Sequence, residues 1–102
     1  MAKKIIWSNE AIKSFDDVLG YLKENWTEKE IDNFILQTGA AVDLISEFPF
    51  MFRKYNKHNI RAALITKHNL LVYKVYRTQI IILNFWDTRQ NPSKKKGFKK
   101  SD

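Results

Sequence analysis

The hydrophobic residues of this 102-residue chain repeat with a helical period before residue 50 and with a strand period after residue 59. In the first part, apolar side chains recur every three or four positions, which is the spacing of one face of an α-helix. In the second part they fall in short segments rich in β-branched and aromatic residues, which is typical of strands. The chain is therefore predicted to be an α+β protein with helices packed on a sheet.

Two helices are predicted in the first part. The first begins after Ser8 or Asn9, because a short side-chain oxygen can accept a hydrogen bond from a free backbone N–H at a helix start. The second begins at Thr27, which together with Glu30 has the spacing of a capping box. Pro49 ends it, because proline disfavours helical geometry in the preceding residue. The short bend between the helices predicts an antiparallel hairpin.

Four strands are predicted, at residues 5–7, 60–66, 70–76 and 79–86. The last three are separated by turns of two or three residues, so they are expected to form an antiparallel meander. The predicted order is β-α-α-β-β-β, with the helical hairpin on one face of an antiparallel sheet and the other face open. Residues 1–92 are expected to form one domain, and the lysine-rich residues 93–102 a flexible tail.

The composition excludes several classes of chemistry. The chain has no cysteine, so thiol catalysis, disulfides and cysteine-bound zinc are absent. Its two histidines have no pattern of carboxylates around them, and its three glycines form no phosphate-binding loop. We therefore expect no metal and no cofactor. No apolar run has the length of a signal peptide core or a membrane span, so a cytoplasmic protein without a membrane partner is expected.

Charge is divided unevenly along the chain, although its net value is +7. Residues 1–50 contain 5 Lys or Arg and 9 Asp or Glu, whereas residues 51–102 contain 13 and 2. The predicted tail holds five of those 13, so most of the positive charge belongs to the predicted domain. This segregation indicates a surface that meets a polyanion or an acidic protein.

Basic side chains are expected on the open face of the sheet and in the loop before it. Strand alternation allows Arg61 and Lys74 to share the open face, where they would be accompanied by Ile65, Val72 and Tyr76. The loop at residues 50–58 adds Arg53, Lys54 and Lys57. A mixed basic and aromatic surface suits a nucleic-acid backbone or an amphipathic partner segment.

Several segments, taken in their order along the chain, resemble one protein family. They are Trp7-Ser8 with Ala11, the helical hairpin ended by Pro49, Ile60-Arg61, residues 71–76, and Trp86-Asp87-Thr88-Arg89-Gln90-Asn91-Pro92. Together they resemble the RelE/ParE superfamily, the toxins of type II toxin–antitoxin systems, over residues 5–92. The resemblance implies the β-α-α-β-β-β fold and a small antitoxin whose flexible segment wraps the toxin. It also implies one of two targets: RelE-like members cut mRNA in the ribosomal A site, whereas ParE-like members inhibit DNA gyrase and are not known as nucleases.

The resemblance also indicates which residues a nuclease would use. Arg61 aligns with an arginine that acts on the scissile phosphate, and Arg89 resembles one near the end of the last strand. Metal-free RNA cleavage further needs a base and an acid. None of the four residues after Arg89 can transfer a proton near neutral pH, so His58 is the remaining candidate, since His68 is expected to be exposed in a turn. A purely structural alternative is that Arg61 pairs with Asp87.

These observations favour a growth-inhibiting toxin of the ParE type, which needs a binding surface and no catalytic set. Two alternatives remain open: a RelE-like ribosome-dependent mRNA endonuclease, and a non-toxic nucleic-acid-binding domain, for which the basic half would suffice. The expected partners are a cognate antitoxin and either gyrase or the ribosome with its mRNA. The residues expected to contact the target are Arg53, Lys54, Lys57, Arg61, Lys74 and Arg89.

Overall fold

Two helices lie against one face of a five-stranded sheet in the computed structural model, which describes residues 2–55 and 58–87. In chain order the elements are β1 (Lys4–Trp7), α1 (Asn9–Asn25), α2 (Glu28–Glu47), β2 (Arg53–Lys54), β3 (Ile60–Thr66), β4 (Asn69–Val75) and β5 (Gln79–Asp87). The α+β fold predicted from the sequence is confirmed. Lys57, Arg89 and the predicted tail at residues 93–102 lie outside the described residues.

The sheet has the strand order β1-β5-β4-β3-β2. The predicted meander is present, because β3, β4 and β5 pair antiparallel. Both edges differ from the prediction of a four-stranded antiparallel sheet. β1 pairs parallel with β5, since the helical hairpin brings β1 beside a strand that runs in the same direction. β2 is a fifth strand, in which the loop after α2 pairs its backbone with the edge of β3.

The helix starts fall where they were predicted, but only one has a side-chain cap. The Ser8 hydroxyl oxygen accepts a hydrogen bond from the Ala11 N–H at 3.0 Å, and the hydroxyl donates to the Leu83 carbonyl at 3.1 Å. Ser8 therefore both starts α1 and ties it to β5. Thr27 occupies the cap position of α2 without a side-chain cap bond, so the predicted capping box is not formed. Its carbonyl oxygen instead accepts from the Glu30 N–H at 3.0 Å.

The core lies between the two helices and the sheet. An aromatic cluster joins all three parts: the ring centroids of Trp7 and Phe15 are 5.5 Å apart, and Phe34 and Phe85 lie 5.2 and 5.1 Å from Phe15. Buried Ser14 adds a polar tie, because its hydroxyl oxygen accepts the Phe85 N–H at 2.8 Å. Along residues 2–55 and 58–87, neither helix is long and apolar enough to cross a membrane.

Candidate functional site

Arg61 lies on the helix-covered face of the sheet, so its predicted position on the open face is wrong. Strand pairing places Arg61 opposite Tyr73, and opposite residues of an antiparallel pair share a face. Tyr73 is fully buried in the core. Ile65 shares this face and is also buried, so it too was assigned to the wrong face. Lys74 faces the other way, opposite Ile60 and Ile81, as predicted.

The Arg61 guanidinium holds the loop that follows α2. Its Nη1 donates to the Phe52 carbonyl at 2.9 Å and, more weakly, to the Phe50 carbonyl at 3.4 Å. Its Cζ lies 4.9 Å from the centroid of the Phe50 ring, a cation–π distance. Its Nε is buried and finds no partner in the described part of the chain. The guanidinium is thus engaged by backbone oxygens and one aromatic ring.

The alternative pairing of Arg61 with Asp87 is not formed. Asp87 lies opposite Asn69 at one end of β4, whereas Arg61 lies opposite Tyr73. These two positions on β4 are four residues apart, or about 13 Å at the usual rise of a strand.

Tyr73 holds the same loop from the middle of the sheet. Its hydroxyl donates to the Pro49 carbonyl at 2.7 Å, and its ring meets the Phe52 ring edge to face at 6.4 Å between centroids. Burial raises the pKa of the Tyr73 hydroxyl to about 12, against the smaller opposing effect of the Arg61 charge. The hydroxyl therefore remains a donor at neutral pH. We call Arg61 and Tyr73 together the loop clamp.

The clamped loop presents basic and apolar side chains to solvent. Phe50 and Met51 are each 56% exposed, and both residues of β2, Arg53 and Lys54, are exposed. The Met51 N–H donates to the Phe48 carbonyl at 3.1 Å, so the backbone is ordered before β2 begins. We call Phe50, Met51, Arg53 and Lys54 the loop surface.

The two basic residues of the loop surface lie over different faces of the sheet. Arg53 is opposite Ala62, on the open face, whereas Lys54 is opposite Arg61, on the helix-covered face. A groove of about 760 Å³ opens beside them; its lining is Met51, Phe52, Arg53, Lys54, Tyr55, Ala62, Leu64 and Leu70. The groove is mainly apolar with positive charge at its rim.

The remaining predicted site residues are dispersed. His58 is exposed at the turn before β3, and His68 lies in the β3–β4 turn, as predicted, where it is only partly exposed. On the open face, Lys74 Nζ lies 5.2 Å from the centroid of the Tyr76 ring, which is itself 42% exposed. Val72 is on that face as predicted, yet only 3% exposed.

Within the described ranges, no three His, Cys, Asp or Glu side chains are grouped to hold a metal ion. The residues that the structure does bring together are Arg53, Lys54 and Arg61, on two adjacent strands at one edge of the sheet. Phe50 and Met51 lie in the loop that the sequence predicted after Pro49, but they were not among the residues predicted to contact a target. The arrangement is suited to binding: it combines two exposed cations with two exposed apolar side chains on a fixed backbone.

Comparison with known proteins identifies the family. Residues 5–92 match the sequence profile of the ParE toxin of the type II toxin–antitoxin system parDE. No curated protein is close enough in sequence to count as a relative.

The fold is shared with several solved structures. The chromosomal ParDE system of P. aeruginosa superposes with a TM-score of 0.71 at 11% identity, over 84% of this chain and 96% of that one. The YoeB–YefM complex of Staphylococcus aureus superposes with a TM-score of 0.57 at 16% sequence identity, over 84% of this chain and 97% of that one. Protein HP0894 of Helicobacter pylori superposes with a TM-score of 0.55 at 22% sequence identity, over 85% of this chain and 96% of that one. The profile match spans most of the chain, and the chain therefore belongs to the ParE toxin family of type II toxin–antitoxin systems, within the RelE/ParE superfamily.

Proposed function

We propose that this toxin arrests bacterial growth by binding DNA gyrase, that the loop surface makes the contact, and that no bond of a nucleic acid is cut. The observation that carries the proposal is the engagement of Arg61. Its guanidinium already donates to two loop carbonyls and covers the Phe50 ring. To contact a scissile phosphate, Arg61 would have to leave these groups and release the loop.

The energetic cost of that release argues against a phosphate-binding role. The Phe52 carbonyl is half-buried, and loss of its charged donor would cost roughly 1 kcal/mol, whereas the Phe50 carbonyl is exposed, so water can replace Arg61 there. A residue that stabilises a developing charge works best when it is already oriented toward the reacting atoms. Arg61 is oriented toward its own loop, so it is better suited to positioning than to catalysis.

The loop surface has the composition of a protein-binding surface. Aromatic residues, methionine and arginine are enriched where proteins meet, and one arginine or aromatic side chain can contribute most of the binding energy. Phe50, Met51 and Arg53 are these residue types, and all three are exposed. Lys54 adds charge that would speed the encounter with an acidic patch.

We further propose that the toxin is bound by a cognate antitoxin and that it acts in the cytoplasm. The similar structures are those of a chromosomal ParDE toxin–antitoxin system of P. aeruginosa and of a YoeB–YefM complex of S. aureus, which supports a cognate antitoxin as the partner of this chain. We expect an adjacent gene of about 60–100 codons whose product is acidic and has a segment of disordered composition. Gyrase is reached in the cytoplasm, so the toxin is expected to act there.

The main alternative is a RelE-like mRNA endonuclease. Its support is that Lys54 and Arg61 lie opposite each other on adjacent strands, as a phosphate-binding pair would. His58, Arg61 and Arg89 would be its catalytic residues, and the ribosome its scaffold. A non-toxic nucleic-acid-binding domain, with Lys57 and Lys74 adding to the basic surface, predicts steeply salt-dependent binding and normal growth on overexpression.

The test is controlled expression in a bacterium, with DNA and protein synthesis followed separately over the first minutes. We expect DNA synthesis to fall first, and an Arg53→Glu/Lys54→Glu variant to grow normally. The matched control is Lys13→Glu/Lys23→Glu, which reverses two exposed charges on α1 and should remain toxic. Protein synthesis that falls first would refute the gyrase proposal in favour of the nuclease, and normal growth with the unaltered chain would refute an active toxin.

A further inference from the structure

Helix α2 exposes an apolar stripe on the side that faces away from the sheet. Its members within the helix are Leu36, Ala40 and Leu44, each four residues from the next, a spacing that lines side chains up along one side of a helix. Phe48, the residue that follows the last helical residue, adds an apolar side chain beyond this helical part of the stripe. Leu36 is 69% exposed, Leu44 44% and Phe48 56%, and Ala40 is exposed between them. Single exposed apolar residues are ordinary, but a continuous row of them marks a surface that another molecule covers.

The residues at the centre of the α2 stripe have small side chains or none. Ala40 lies midway between Leu36 and Leu44, and Gly39 precedes it. A Cβ added at Gly39 would meet nothing within 4 Å. Small residues at this point allow a second helix to approach closely, while the leucines on either side provide the apolar contact area.

Within the helix the stripe is symmetric about Ala40, because a leucine lies four residues to either side, and this symmetry favours a partner of the same sequence. We propose that the α2 stripe packs against the α2 stripe of a second copy of this chain, antiparallel and about a two-fold axis at Ala40. In such an isologous contact each residue meets its counterpart across the axis. Leu36 of each copy packs on Leu44 of the other, and Ala40 packs on Ala40.

The charges at the two ends of α2 complement each other in this arrangement and in no parallel one. Lys29 lies in the first turn and Glu47 in the last, and both are exposed. Antiparallel packing brings Lys29 of each copy within one helical turn of Glu47 of the other, and the helix dipoles also oppose. A parallel pair would place like charges together.

This dimer leaves part of the loop surface free. Arg53 lies over the open face of the sheet, away from α2. The dimer therefore does not depend on the gyrase proposal, and each can fail without the other.

A cysteine at the axis provides the most direct test, because the natural chain contains none. Helices that pack through small residues come close enough for Cα atoms at the crossing point to fall within the roughly 4.4–6.8 Å span of a disulfide. We expect Ala40→Cys to form a disulfide-linked dimer under mild oxidation. Leu64→Cys, at a 63% exposed position on the open face, is the control and should remain mostly unlinked.

Light scattering of the purified chain gives the second readout. The unaltered protein is expected to show twice the 12.1 kDa mass of one chain at high concentration. Leu36→Glu should reduce the mass to that of one chain, whereas Leu64→Glu should not. Both substitutions are at exposed positions, so circular dichroism should show an intact fold.

Three results would overturn the dimer. One is a single-chain mass at every concentration, and another is disulfide linkage of the Leu64→Cys variant as efficient as that of the Ala40→Cys variant. The third is that Leu36→Glu leaves the mass unchanged but abolishes binding of the cognate antitoxin, which would assign the α2 stripe to that protein.

Discussion

The hydroxyl of Tyr73 donates a 2.7 Å hydrogen bond to the carbonyl of Pro49, a residue 24 positions earlier in the chain. This bond joins the middle of the sheet to the point where α2 has just ended. Arg61 holds the next residues of the same loop through the Phe50 and Phe52 carbonyls. The loop surface is therefore positioned by the buried Tyr73 and the half-buried Arg61, which belong to strands that the core already fixes.

The alkaline stability of the protein should depend on Tyr73. The pKa of its hydroxyl is raised to about 12 in the folded chain and is 10.0 in the unfolded one. The unfolded chain therefore loses this proton first, and the contribution is complete below pH 10 and lost as the pH rises toward 12. Two pKa units correspond to about 2–3 kcal/mol of the free energy of unfolding.

Urea unfolding between pH 9 and 12 measures this loss. The Tyr73→Phe variant should not show this alkaline loss of stability. At neutral pH its free energy of unfolding should be about 1 kcal/mol lower, because the hydrogen bond to Pro49 is lost. Tyr76→Phe removes an exposed hydroxyl and serves as the control, which should keep the alkaline loss. Identical profiles for Tyr73→Phe and the unaltered chain would contradict the role assigned to Tyr73.

Substitution of Arg61 by lysine should loosen the loop. A lysine ammonium cannot reproduce the planar guanidinium that donates to two carbonyls and stacks on a ring. We expect a loss of roughly 1–3 kcal/mol in the free energy of unfolding. We also expect faster hydrogen exchange at the Met51 and Tyr55 amides, which donate to the Phe48 and Ile60 carbonyls.

Arg77→Lys, at an exposed turn residue, is the control and should change neither quantity. If Arg61→Lys abolished growth arrest while exchange at the loop amides stayed at its original rate, Arg61 would be acting on the target directly.

Ser14 should be a sensitive position in the core. Ser14→Ala removes the oxygen that accepts the buried Phe85 N–H and leaves that donor without a partner. An unsatisfied buried donor costs roughly 1–3 kcal/mol. Thermal or urea unfolding gives the measurement, with Ser46→Ala as the control. Ser46 donates to the Lys3 carbonyl in a half-buried position where water can replace it, so its loss should cost less. Equal costs would contradict the account of Ser14.

The helices and the meander could be predicted from the sequence because their signals are local. Hydrophobic spacing marked both helices, Ser8 marked the start of α1, and short turns separated β3, β4 and β5. Two features had no local signal. β2 has only two residues, and the parallel pairing of β1 with β5 joins segments more than 70 residues apart.

The face of Arg61 could not be predicted because both faces of β3 are apolar. One face has Ile60, Ala62 and Leu64, and the other has Ala63 and Ile65 beside Arg61. Alternation alone does not say which set the helices cover. The assumption that a charged residue faces solvent then selected the wrong set, since Arg61 lies at the end of the covered face and reaches the loop carbonyls. The open face instead carries the apolar side chain of Leu64, which is 63% exposed.

We propose above that the loop surface inhibits gyrase by binding, and this binding can be tested outside the cell. It is tested most directly with purified toxin, purified DNA gyrase and relaxed plasmid, beside a translating ribosome that carries a labelled mRNA. We expect supercoiling to fall as toxin is added, no effect from the Arg53→Glu/Lys54→Glu variant, and intact mRNA. Full supercoiling together with mRNA cut in the ribosome would contradict the claim and identify the toxin as a nuclease.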